Sequence, residues 1–105
     1  MVSDLEIAKA RREGMRWYLL STLHKARPVG AMDVMLLNVI GAIYDGVTPN
    51  ELHCELEYLE NRKLIVINKQ PAGHWHSTLS HIGVDVVEYT AECYAGIARP
   101  KVYWG

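Results

Sequence analysis

Residues 45–67 read Asp45-Gly46-Val47-Thr48-Pro49-Asn50-Glu51-Leu52-His53-Cys54-Glu55-Leu56-Glu57-Tyr58-Leu59-Glu60-Asn61-Arg62-Lys63-Leu64-Ile65-Val66-Ile67. Thr48 suits a helix N-cap, Pro49 the first helical position, and Glu51 the reciprocal partner of a capping box. The helix they open turns Leu52, Leu56 and Leu59 to one side. It ends near Arg62-Lys63, whose positive charges suit the negative end of a helix dipole. At Leu64 the period changes from 3.6 to 2. Leu64 to Asn68 is a β-branched run, Lys69-Gln70-Pro71-Ala72-Gly73 has the composition of a turn, and His74 to Leu79 puts Trp75, Ser77 and Leu79 on one face. A helix therefore runs directly into a β-hairpin.

Upstream, Ser3-Asp4-Leu5-Glu6 is a second capping box and predicts a helix to about Ala26, with Leu5, Ala8, Met15, Leu19, Leu23 and Ala26 near helical spacing. Arg27-Pro28-Val29-Gly30 stops it. From Ala31 the spacing of Met32, Leu36, Val39, Ile40 and Ile43 predicts a second helix that ends at Asp45-Gly46, with Asp33 in its first turn facing the positive end of the dipole. Downstream, Ser80 caps a last helix through Ile82, Val86, Tyr89 and Cys93, and Gly96 and Pro100 end regular structure. The fold class is mainly α with a β-hairpin. Helix, helix, helix, hairpin, helix is the order of a winged helix-turn-helix, in which the hairpin is the wing. Residues 1–96 form this domain, and residues 97–105 are expected as an arm on its surface.

Leu56-Glu57-Tyr58-Leu59-Glu60-Asn61-Arg62-Lys63-Leu64-Ile65 resembles the end of the recognition helix and the start of the wing in winged-helix regulators, which often read Leu-x-x-Leu-x-x-x-Gly-Leu-Ile/Val there. Lys63 takes the place of that Gly, so the usual left-handed exit from the helix is not expected. Leu79-Ser80-His81-Ile82-Gly83 is similar to the wing-to-helix junction of the same superfamily. More narrowly, Arg27-Pro28-Val29-Gly30, Gly83-Val84-Asp85-Val86-Val87-Glu88-Tyr89-Thr90 and Gly96-Ile97-Ala98-Arg99-Pro100 with Tyr103-Trp104 resemble small winged-helix proteins of Mu-like prophages. The general resemblance spans residues 31–90, and the narrower one extends to the C-terminus. They imply a bacterial or phage host, a DNA-binding role and no reaction chemistry.

At 105 residues the chain is one module, and with half its residues apolar and 22% charged it has the composition of a folded domain. No apolar run approaches a membrane span, and no basic-then-apolar leader is visible at Met1-Val2-Ser3-Asp4-Leu5-Glu6. Cys54 and Cys93 have no metal-ligand spacing and are expected as reduced thiols in a cytoplasm, a bacterial one by what the resemblance implies. There is no phosphate loop, nucleophile elbow or His-Glu-x-x-His, and His53 beside Cys54 on a helix points about 100° away from it, so neither catalytic residues nor a cofactor are predicted. His74 and His76 share a strand face with His81 nearby, but with no third ligand in evidence they are expected in solvent or against phosphate, and no metal is predicted.

The net charge of −1 hides a pattern. Residues 1–27 carry +3, residues 28–61 carry −6 with no basic side chain, and residues 62–82 carry +3 from Arg62, Lys63 and Lys69. Double-stranded DNA is the expected partner, and phosphate neutralisation dominates such binding. The acidic block, with Glu51, Glu55, Glu57 and Glu60, weighs against the third helix as its main source. Asn50 suits adenine, with His53 beside it. Arg62, Lys63, Lys69 and Gln70, with His74 and His76, are expected to form one basic strip along the wing. The rival expectation is a protein-interaction module, binding a phage or host protein through the acidic third helix. Trp17, Tyr18, Leu20, Val87 and Tyr94 are candidates for a homodimer interface, unless the arm with Ile97, Val102, Tyr103 and Trp104 folds back over that surface.

Overall fold

The computed structural model describes residues 2–102; Met1 and the tail residues Tyr103, Trp104 and Gly105 lie outside the described residues. The elements are α1 (Asp4–Lys25), β1 (Ala31–Met32), α2 (Asp33–Gly41), α3 (Pro49–Asn61), β2 (Ile65–Lys69), β3 (Trp75–Leu79) and α4 (His81–Val87). Three helices open as their sequences dictate. The side chains of Ser3, Thr48 and Ser80 accept from the amides of Glu6, Glu51 and Gly83, satisfying N–H groups that a first turn leaves without partners.

The sheet has three antiparallel strands in the order β1-β3-β2, with Ala31 opposite Ser77 and Ile65 opposite Leu79. Against its inner face α1 lays Met15, Leu19, Leu20 and Leu23, α2 adds Leu36 and Ile40, and α3 adds Leu52, Leu56 and Leu59, all of them buried. This layer is what stabilises a hairpin that would be marginal in water alone.

Several expectations need correction. The second helix begins at Asp33, because the backbone of Ala31 and Met32 pairs with β3. A two-residue strand leaves no periodic signal in sequence. The helix ends at Gly41, so Ile43 is 45% exposed instead of facing inward. Lys63 does take the left-handed conformation, with φ 64°. Its amide donates to Glu60 O and the Leu64 amide to Leu59 O, which is the Schellman closure, formed here without glycine. The last helix closes in the same way after Val87. Tyr89 has φ 63°, its amide donates to Val86 O and that of Thr90 to Asp85 O, so the helix does not reach Cys93.

Beyond α4 the chain returns along the domain. Ile97 is 5% exposed and belongs to the core, not to a surface arm. The Ala98 amide donates to Glu13 O, Arg99 Nη1 to Val86 O and Ala91 O, and the Tyr89 hydroxyl to Pro100 O.

Candidate nucleic-acid interface

Two of the four glutamates of α3 are ion-paired within the protein. Arg11 on α1 donates through Nε and Nη2 to the two carboxylate oxygens of Glu51, at 2.9 and 3.1 Å. That bidentate hydrogen bond holds the Glu51 carboxyl below its ordinary pKa against the opposing effect of burial, and raises that of Arg11. One turn on, Arg16 Nε donates to Glu55 at 2.7 Å, and Glu55, part of the acidic block, is 4% exposed. The Glu60 carboxylate accepts the Ile67 amide at 2.9 Å, covering an N–H on the free edge of β2. Of the four glutamates only Glu57 is both exposed and without such a partner among the described residues. The outer face of α3 is therefore Asn50, Cys54, Glu57 and Asn61, all exposed.

The expected single basic strip divides in two. Lys63 lies before β2 and Lys69 at its far end, opposite Trp75. The strand β2, five extended residues at ~3.3 Å each and so roughly 15 Å long, separates them. The Arg62 guanidinium lies 4.0 Å from the centre of the Tyr58 ring and 5.9 Å from that of Tyr94, at the end of α3 away from the wing tip. The histidines divide as well. His76 Nε2 meets Val29 O at 2.8 Å on the outer side of the sheet, while His74 Nδ1 faces Asp33 Oδ1 at 3.4 Å. Among the described residues no three His, Cys, Asp or Glu side chains come together in a geometry that holds a metal ion.

What remains at one end of the molecule is the start of α3 and the wing turn. Pro49 and His53 from α3 and Gly73 and His74 from the turn line one cleft of ≈ 200 Å³, with Asp33 in its wall. The His53 ring stacks on Trp75, with centroids 3.9 Å apart and planes within 8°, and Lys69 Nζ lies 4.5 Å from the centre of the same indole. His53 Nε2 also meets Asp33 Oδ2 at 2.8 Å, so this imidazole is engaged inside the protein. Asn50, Lys69 and Gln70 are exposed around it. Asp33 and Trp75 organise this end, and neither stands out in sequence as a site residue. Asp33 reads there as a dipole complement and Trp75 as an inward strand residue, and nothing local marks a carboxylate that meets partners 20, 41 and 42 residues away.

Of the candidate dimer residues, Tyr18 and Tyr94 are 41% and 48% exposed, whereas Trp17 packs edge-on against Tyr89 and Val87 is half-buried. Leu20 has no exposure and lies in the protomer's own core, so it offers no surface to a second copy. No helix among the described residues is long and apolar enough to cross a membrane.

A helix pair joined by residues 42–48, followed by a hairpin whose inner strand pairs with a short strand ahead of α2, defines the winged helix-turn-helix fold. The solved structure of MepR, a transcription regulator of the Staphylococcus aureus multidrug efflux pump MepA, is similar to it, with a TM-score of 0.59 and 19% sequence identity. The match covers 71% of this chain and 52% of MepR, so the chain spans about half the length of that protein. No protein-family model matches the chain, and neither does any curated protein.

Proposed function

We propose that this chain is a non-enzymatic DNA-binding protein of phage descent that acts in transcription regulation and meets DNA with the wing tip and the N-terminal end of α3. The observation that carries the reading is the pairing of Glu51 and Glu55 with Arg11 and Arg16. It offsets two of the four glutamate charges that weigh against bringing α3 to a polyanion, and leaves Lys69, Gln70 and Asn50 at one end of the molecule to contact phosphate and base edges. The likeness to a transcription regulator supports it as an analogy of fold. The resemblance to Mu-like prophage proteins supports the phage descent and a bacterial cytoplasm. Exposed Tyr18 and Tyr94 support a homodimer, which would present two wings to one duplex. The rival, an acidic α3 that binds a basic protein, loses support from the same ion pairs, which leave Glu57 and Glu60 as the α3 glutamates without a basic partner among the described residues.

Fluorescence anisotropy on random duplex DNA tests the reading. Binding is expected at about 20 mM salt and must weaken steeply as salt rises, because released counterions drive it. Lys69→Glu is expected to weaken all sequences alike, and Lys63→Glu, at the other end of β2, to matter less. Absence of binding at low salt would overturn the proposal.

A further inference from the structure

Asp33 is a buried carboxylate, 7% exposed, that three elements share. It opens α2 and stands in register opposite Trp75, one step beyond the last β1 pair, Met32 with His76. Where a longer β1 would offer the Trp75 amide a backbone carbonyl, Asp33 offers Oδ2 at 3.1 Å. The same oxygen meets His53 Nε2 at the start of α3, and Oδ1 faces His74 Nδ1 in the wing turn. Hydrogen bonds to a charged acceptor are stronger than neutral ones, and a buried carboxylate left without them is costly. Each partner is thus held to the start of α2 more tightly than a neutral side chain would hold it. The hold extends outward, because His53 lies flat on the Trp75 indole and the Lys69 ammonium rests against the same ring. Lysine has a long, freely rotating stem, and a cation–π contact on a fixed ring restricts where its charge resides.

We propose that Asp33 is the positioning residue of the wing: by fixing Trp75 and His53 it places the Lys69 ammonium beside the N-terminal end of α3, ready for a phosphate. Asp33 itself touches no nucleic acid. The phosphate rests on the DNA-binding reading, whereas the hold on Trp75 is a property of the free protein, so the two are separable by experiment.

Amide hydrogen exchange of the free protein, followed by NMR, reads the hold. In Asp33→Asn the Trp75 amide is expected to exchange at least about tenfold faster, a factor worth ~1.4 kcal/mol, while amides in the middle of α1 keep their rates. A double-mutant cycle on random duplex DNA then reads the positioning. Asp33→Asn is expected to weaken binding several-fold in the presence of Lys69 and to have little effect in a Lys69→Ala background. Unchanged protection of Trp75, or an equal loss of affinity in both backgrounds, would overturn the proposal, since a merely structural role predicts no coupling to Lys69. Should the parent protein fail to bind DNA, the DNA-binding reading falls while the exchange result still decides the hold on Trp75. If Asp33→Asn does not fold, His53→Gln, which removes one partner of the carboxylate and the ring stacked on Trp75, carries the double-mutant cycle with Lys69→Ala, and an equal loss of affinity in both backgrounds again overturns the proposal.

Discussion

Asp33 and Ser77 are both buried polar residues, and their surroundings predict opposite responses to substitution. Burial works to raise the Asp33 carboxyl, but hydrogen bonds from His53, the Trp75 amide and His74 outweigh it, so its pKa lies below the ordinary 3.8. A depressed carboxylate contributes stability that is fully present above its unfolded pKa and is lost as pH falls through the folded one. Urea unfolding from about pH 5 down to about pH 2 should therefore show the parent losing stability more steeply than Asp33→Asn. The Ser77 hydroxyl, with no exposure, has no hydrogen-bond partner among the described residues. Removing it relieves an unsatisfied group at the cost of little packing, so Ser77→Ala should leave the urea midpoint unchanged or raise stability by up to ~1 kcal/mol. A fall beyond ~1 kcal/mol would mean that the hydroxyl is bonded after all. Neither role was legible in sequence, where a lone Asp in a helix's first turn and a Ser in an alternating strand have ordinary local explanations.

At the scale of elements, α1 and α3 meet through charge as well as through leucines. Arg16 is the buried example: its guanidinium donates to Glu55 and to Gly96 O, and lies 3.6 Å from the centre of the Tyr58 ring. Removing one partner of a buried pair strands the other charge, so Arg16→Met should cost about 3–5 kcal/mol by denaturant unfolding. Adding Glu55→Leu should recover much of that loss, because desolvation of the carboxylate disappears with it. An additive second loss would show that the two side chains act independently. The separation of charge into +3, −6 and +3 segments is plain in the sequence, and so are the three caps, the hairpin and the inward leucines of α3. Which carboxylate meets which guanidinium is not. That depends on how α1 crosses α3, and the crossing is set by packing between residues about forty positions apart.

For the molecule as a whole, the segment after α4 is part of the fold. Ile97 fills space among the core residues, and the backbone on either side of it is tied down through Ala98 and Arg99. Ile97→Ala should cost about 2–4 kcal/mol by thermal or denaturant unfolding, as for other buried large-to-small changes. A loss within ~0.5 kcal/mol would place the segment back on the surface. Light scattering after size exclusion should give a dimer mass if Tyr18 and Tyr94 form an interface, and a monomer mass would remove the homodimer from the account.

By itself the sequence determined the winged-helix architecture, because caps, turn residues and hydrophobic periods act within a few positions and all agree. The tertiary structure alone decided which charges are available. It consumed Glu51, Glu55 and Glu60, separated Lys63 from Lys69, and drew His53 and His74 onto Asp33. The reason is physical. Local propensities are written in neighbouring residues, whereas the partner of a charge is whichever opposite charge or donor the packed elements bring within 3–4 Å.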